Sequence, residues 1–189
     1  MSSRVELTQA GPEHQRSLEN LLELYIHDFS EFVSVDVSED GRFGYPDLPL
    51  YWCEPRRMPF LAKIEGKLVG FALVTRGPRL CADSEVWDVA EFFVLRRYRR
   101  RGVGAEMAEK IWCLYPGRWQ IRVRSDNLAG LNFWKSAIAK FTKSPVTSQD
   151  FEIEEVVWNL FSFQSCGSRH SKTAVVEKAI SGLSTNQTL

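Results

Sequence analysis

A chain of 189 residues, 44% hydrophobic and 25% charged, can bury one sizeable core but is short for two domains. Lys plus Arg and Asp plus Glu both total 24, and this neutrality argues against a dedicated nucleic-acid partner, whose binding rests on a basic excess. The amino terminus, MSSRVELTQAGPEHQ, lacks a secretory core and no apolar run nears the roughly 20 residues that span a bilayer, so a soluble, cytoplasmic protein with no membrane partner is expected.

In chain order, residues 4–8 alternate as a short strand, and Gly11-Pro12-Glu13 opens a helix. Leu18, Leu21, Leu22, Tyr25, Ile26, Phe29 and Phe32 form one broad apolar face on that helix. Residues 34–59, broken by Gly41, Gly44, Pro46, Pro49 and Pro55, read as loop or broken helix. Pro59–Ile64 and Lys67–Thr75 are strands joined by a hairpin turn at Glu65-Gly66. After a break at Arg76-Gly77-Pro78, Glu85–Leu95 reads as a central strand. Val103, Met107, Ile111 and Leu114 mark a helix ended by Pro116-Gly117. Trp119–Arg124 reads as a strand, Leu128–Ala139 as a helix and Phe151–Phe161 as a last strand, with a further strand possible near Lys140–Val146.

The order β-α-β-β-β-α-β-α-β gives an α/β (α+β) protein: a mixed sheet flanked by helices. Residues 1–163 form the domain, and 164–189 a polar, mobile tail with at most a short helix at Thr173–Ile180. Cys53, Cys81, Cys113 and Cys166 show no metal-ligand spacing and are expected as reduced, mostly buried thiols. His14, His27 and His170 are scattered, so no metal is expected.

The chemistry concentrates in Val94–Gly104. A buried strand runs into a loop with five arginines in six residues (Arg96, Arg97, Arg99, Arg100, Arg101), then Gly102, Val103 and Gly104 open a helix. A helix N-terminus offers unpaired N–H groups and the positive end of the dipole, and glycines let a phosphate approach the backbone. Guanidinium groups add planar donors suited to phosphate oxygens. A solvated basic turn and a nucleic-acid patch are the alternatives on spacing alone.

The pattern V-x-x-x-Y-R-x-x-G-x-G resembles the acetyl-CoA signature of the GNAT superfamily of N-acetyltransferases, and Ser125–Trp134 resembles a later family helix through Asn127, Gly130 and Trp134. The resemblance covers roughly residues 1–161. It implies a largely antiparallel sheet of six to seven strands, acetyl-CoA as co-substrate and transfer to an amine by direct attack in a ternary complex. It implies that the backbone of Phe92, Phe93 and Val94 meets the pantetheine arm in a gap between the fourth and fifth strands. N–H groups from Arg99, Arg100, Arg101, Gly102, Val103 and Gly104 would hold the pyrophosphate, with Asn127 and Trp134 further along the coenzyme. Asn127 also reads as a helix N-cap. Arg96 stands where the family often has Pro. Trp134 stands where many members have a tyrosine that protonates the departing thiolate, and an indole has no such acidity. A coenzyme A-binding module without turnover is therefore an alternative.

An attacking amine must first lose a proton. Asp88 and Glu91 are the candidate bases, with water alone as a third route, and Tyr98 or water would protonate the thiolate. Strict alternation puts Asp88 with Ala90, Phe92 and Val94, and Glu91 opposite with Val89 and Phe93. Between Asp28 and Glu54 there are seven acids (Asp28, Glu31, Asp36, Glu39, Asp40, Asp47, Glu54) against one base, Arg42, which points to a cationic small-molecule or peptide amine. Tyr25, Tyr45, Tyr51 and Trp52 are candidate cation–π walls, and the alternative is an acidic surface loop. A homodimer is compatible with the family.

Overall fold

The computed structural model describes residues 4–77 and 85–166. Cys81, His170 and the tail segment Thr173–Ile180 lie outside the described residues. The elements are β1 (Glu6–Gln9), a 3-10 turn (Pro12–His14), α1 (Gln15–Phe29), α2 (Leu50–Cys53), β2 (Arg57–Ile64), β3 (Lys67–Arg76), β4 (Trp87–Val94), a second 3-10 turn (Arg96–Tyr98), α3 (Val103–Leu114), β5 (Gly117–Arg124), α4 (Leu128–Thr142), β6 (Ser148–Ile153) and β7 (Val156–Ser165).

Seven strands form one sheet in the order β1-β2-β3-β4-β5-β7-β6, antiparallel everywhere except between β4 and β5. One face packs on α3 and α4 through Trp112, Trp119, Ile121, Val89 and Ile138; the other packs on α1 and α2 through Leu18, Leu22, Leu48, Tyr51, Phe71 and Phe93. The segment between α1 and α2 is tethered. Glu23 accepts from the N–H groups of Phe43 and Gly44 at 2.8 and 3.0 Å, and Leu48 is buried.

The Glu65-Gly66 turn adopts the left-handed conformation at both residues, as a two-residue hairpin of right-twisted strands requires. Glu154 and Glu155 do the same without a glycine, so Phe151–Phe161 is not one strand but the hairpin β6–β7. No strand forms near Lys140–Val146: α4 continues to Thr142 and ends at Lys143, which takes the left-handed cap conformation. α1 stops at Phe29, so Phe32 lies beyond it. β7 reaches Ser165, two residues past the boundary drawn at 163. Cys53 and Cys166 are exposed and Cys113 half-buried, not mostly buried thiols, and all three are free.

β4 carries an extra residue opposite β3, since Leu73 pairs with Glu91 and Val74 with Val89. This bulge at Ala90 breaks the alternation. Val89 and Phe92 face α3 and α4, whereas Ala90, Glu91 and Phe93 face α1. Asp88, bonded to Arg122, shares the α1 face with Glu91, which corrects the opposite-face assignment made from strict alternation.

Candidate active site

β4 and β5 pair only at Trp87–Trp119 and Asp88–Gln120. Beyond those pairs the strands splay, and β4 from Val89 to Val94 presents its β5-side edge to a gap. A pocket of about 430 Å³ occupies that gap. Its floor is Phe92, Phe93 and Val94; α3 contributes Gly104, α4 contributes Asn127, Gly130, Phe133 and Trp134, and α1 contributes Tyr25, Asp28 and Phe29. The pocket therefore threads the sheet from the α3–α4 face to the α1 face.

The loop entering α3 is built by backbone conformation. Arg100 and Gly102 both take positive φ, 58° and 81°, turning the chain so that the first N–H groups of α3 open beside Arg100 and Gly104. A Cβ at Gly104 would lie 3.1 Å from the Phe133 ring, so this residue lets α3 and α4 close on the pocket. The arginines divide into two sets. Arg96, Arg99 and Arg100 line the pocket; Arg97 lies over the Tyr98 ring, and Arg101 is held through its carbonyl by Arg4. Asp28 bridges Arg96 and Arg99 at 2.6 and 2.5 Å, and Arg99 also donates to the Val94 carbonyl. Burial alone would raise the Asp28 carboxyl, but hydrogen bonds and charge from the two arginines outweigh it and hold it below the usual carboxylate range.

Asn127 caps α4, its Oδ1 accepting from the Gly130 N–H at 2.8 Å, while the residue also lines the pocket. Trp134 is 7% exposed and packs against Phe92, Phe133 and Trp112, an aromatic wall rather than a polar group. Tyr98 does not line the pocket and packs instead against the apolar cluster that holds Val69, Val103 and Met107 among others.

On the α1 side, Glu91 is held by two phenols. Tyr25 Oη donates to Oε2 at 2.5 Å and Tyr45 Oη donates to Oε1 at 3.0 Å. Burial, then the Glu91 charge, raises the Tyr25 phenol well above its ordinary pKa. Asp88 is buried and paired with Arg122 at 2.9 Å, outside the pocket lining. Of the four expected aromatic walls only Tyr25 lines the pocket. Tyr51 is buried, with Arg57 over its ring, and Trp52 donates to the Ala10 carbonyl. The acids scatter too: Asp28 is neutralised, Glu54 pairs with Arg57, Asp40 binds its own loop, and Asp36, Glu39 and Asp47 are exposed away from the pocket. Besides Asp28, Glu31 is the acid of the set that lines the pocket. Phe29, Phe32 and Phe133 line it as well, and the sequence does not single them out, because helical periodicity cannot distinguish a core face from a pocket face.

Among the described residues no group of three or more His, Cys, Asp or Glu could hold a metal, and no helix is long and apolar enough to cross a membrane.

A family model described as acetyltransferase (GNAT) family matches residues 18–137. No curated protein sequence matches the chain. The ribosomal-protein-S18-alanine N-acetyltransferase of Escherichia coli superposes with a TM-score of 0.59 at 10% identity, covering 88% of this chain and 97% of that one. An acetyltransferase of Thermus thermophilus gives 0.60 at 15% identity, covering 87% and 99%. A variant spermidine N-acetyltransferase of Vibrio cholerae gives 0.60 at 9% identity, covering 87% and 95%. At such identities the structural likeness is one of fold. The family model spans more than half of the sequence, and on that match the chain belongs to the GNAT family of acetyltransferases.

Proposed function

We propose that this acetyltransferase moves an acetyl group from acetyl-CoA to a primary amine by direct attack within a ternary complex. The observation that carries the reading is the splay of β4 from β5, with its pocket opening at one end on the α3 N-terminus and at the other on Tyr25, which bonds Glu91. The residues fit the coenzyme on their own chemistry. The α3 N–H groups and Arg100 would hold the pyrophosphate, where Gly102 at φ 81° leaves open space. The free edge of Phe92–Val94 would pair with the amides of the pantetheine arm, as an added strand does. Asn127, whose Oδ1 is committed to the helix cap, has Nδ2 to donate.

Glu91 serves as the base in this reading and Asp88 does not. Asp88 is tied to Arg122 away from the pocket, whereas Glu91 bonds directly to a residue that lines it. Trp134 walls the acyl end and excludes water. Tyr98, outside the pocket lining, leaves protonation of the thiolate to water, which a thiol pKa near 8.5 makes easy. The acceptor enters past Tyr25, Phe29, Glu31 and Phe32, so a cationic amine on a partly apolar body suits the entrance better than a polycation.

Calorimetric titration of acetyl-CoA, with thiol release across spermidine, phenethylamine and a short peptide with a free amino terminus, tests the reading. Micromolar binding with turnover of at least one amine is expected. Absence of binding to folded protein would refute it.

A further inference from the structure

Tyr25 and Glu91 lie 66 residues apart and meet because α1 crosses the bulged part of β4. Without the extra residue at Ala90, alternation would still set Glu91 beside Phe93 but on the face opposite Asp88. Both carboxylate oxygens are engaged, Oε2 by Tyr25 and Oε1 by Tyr45. Of the three residues, only Tyr25 lines the pocket. The phenol thus stands between the reaction space and the carboxylate.

We propose that Tyr25 is a catalytic residue, a relay hydroxyl that accepts the proton of the acceptor amine while passing its own to Glu91, with Tyr45 as the positioning residue for that carboxylate. The inference rests on the acetyl-transfer reading above. An ammonium N–H proton moves to the Tyr25 oxygen as the phenolic proton moves to Glu91 Oε2. The freed lone pair attacks the thioester carbonyl carbon. The C–S bond then breaks with its electron pair on sulfur, the remaining excess proton on nitrogen reaches that thiolate through water, and Glu91 returns its proton to solvent. Amide and free thiol are formed, with no oxidant or further reactant.

A phenolate base is the competing role for Tyr25, and its surroundings oppose one. Burial and the facing Glu91 charge raise the phenol, Tyr45 adds to this, and Arg122, itself paired with Asp88, opposes it. A hydroxyl so disposed works by giving a proton as it takes one.

Tyr25→Phe, Glu91→Gln, Tyr45→Phe and the Tyr25→Phe/Glu91→Gln pair test the relay. Thiol release from acetyl-CoA, with phenethylamine, spermidine or water as acceptor, is followed across neutral and alkaline pH, and acetyl-CoA binding by calorimetry. Tyr25→Phe and Glu91→Gln should each lower kcat by about 100-fold or more and erase the same limb of the pH profile. The pair should be no slower than either single variant, and acetyl-CoA affinity should hold within about threefold, well under one tenfold step. Tyr45→Phe should lose about fivefold and keep the limb, as a positioning residue would. Wild-type kcat and an intact limb in Tyr25→Phe, beside a disabled Glu91→Gln, would overturn the relay and leave acetyl transfer standing. A wild-type protein that neither binds acetyl-CoA nor releases thiol would overturn both.

Discussion

Asp88 lies in the middle of the sheet with its side chain 5% exposed, and Arg122, 18% exposed, bonds it at 2.9 Å. At that separation two unit charges attract by roughly 6 kcal/mol in an effective dielectric near 20. Desolvation of both groups offsets most of this, so the pair adds little net stability, yet removing one partner of a buried pair is the costly change. Arg122→Met takes the guanidinium from the more deeply buried charge and should cost about 3–5 kcal/mol. Asp88→Asn strands a guanidinium that still reaches water, and a cost near 2 kcal/mol follows, about that of an unmet charged donor. The double variant Asp88→Asn/Arg122→Met should cost less than the sum, with a coupling of about 2 kcal/mol. In a chain of this size Arg122→Met then lowers Tm by roughly 6–20 °C. Urea titration of the four proteins measures the cycle, and thiol release from acetyl-CoA measures turnover. Asp88→Asn should keep kcat within about fivefold, an effect of position rather than of lost base catalysis. Stability unchanged in both single variants would refute the buried-pair reasoning. Full stability with abolished turnover in Asp88→Asn would make Asp88 the base and displace Glu91.

Gly104→Ala places a methyl 3.1 Å from the Phe133 ring, which must yield by a few tenths of an ångström; calorimetry should show acetyl-CoA affinity weakened about fivefold, near 1 kcal/mol. Gly102→Asp meets nothing within 4 Å but forces an aspartate to φ 81°, so circular dichroism should show a folded protein about 1 kcal/mol less stable, while the added carboxylate reduces coenzyme A affinity more than tenfold. Asp28→Asn removes a carboxylate whose folded pKa is depressed. The stability that pair supplies is complete above the ordinary carboxyl pKa and disappears as pH falls through the lower folded value. Wild type should therefore exceed Asp28→Asn by about 1 kcal/mol at neutral pH, small because Arg96 is exposed, and the two should converge in acid when followed by urea titration.

What could be read from the string was local, and what could not was a matter of pairing. Glu65-Gly66 announces its turn because glycine accepts positive φ, whereas Glu154-Glu155 makes the same turn against preference and leaves no mark. The α3 entry was legible for the same local reason, since Gly102 and Gly104 report a backbone path. The bulge at Ala90 has no such token in EVWDVAEFFVL, because a bulge is a property of two strands and shows only in the register with β3. It nonetheless places Asp88 and Glu91 on one face of the sheet.

Counting acids between Asp28 and Glu54 could not show which of them line the pocket, for a related reason. A composition window sees charges but not partners, and Arg96 and Arg99 reach Asp28 from 68 and 71 residues away. That bridge has a consequence for the two halves of the pocket. Asp28 belongs to the helix that also carries Tyr25, and Arg99 belongs to the loop that opens α3. Two exposed or half-exposed guanidinium groups on one carboxylate make a solvent-screened link, weak enough for a diphosphate to compete for the same donors. A coenzyme diphosphate that took those donors would also free the end of α1, and in the proposed reaction acceptor KM would then depend on coenzyme occupancy through the same two arginines. The coupling is bounded by the bridge itself, and a larger dependence of acceptor KM on Asp28 would have to come from elsewhere.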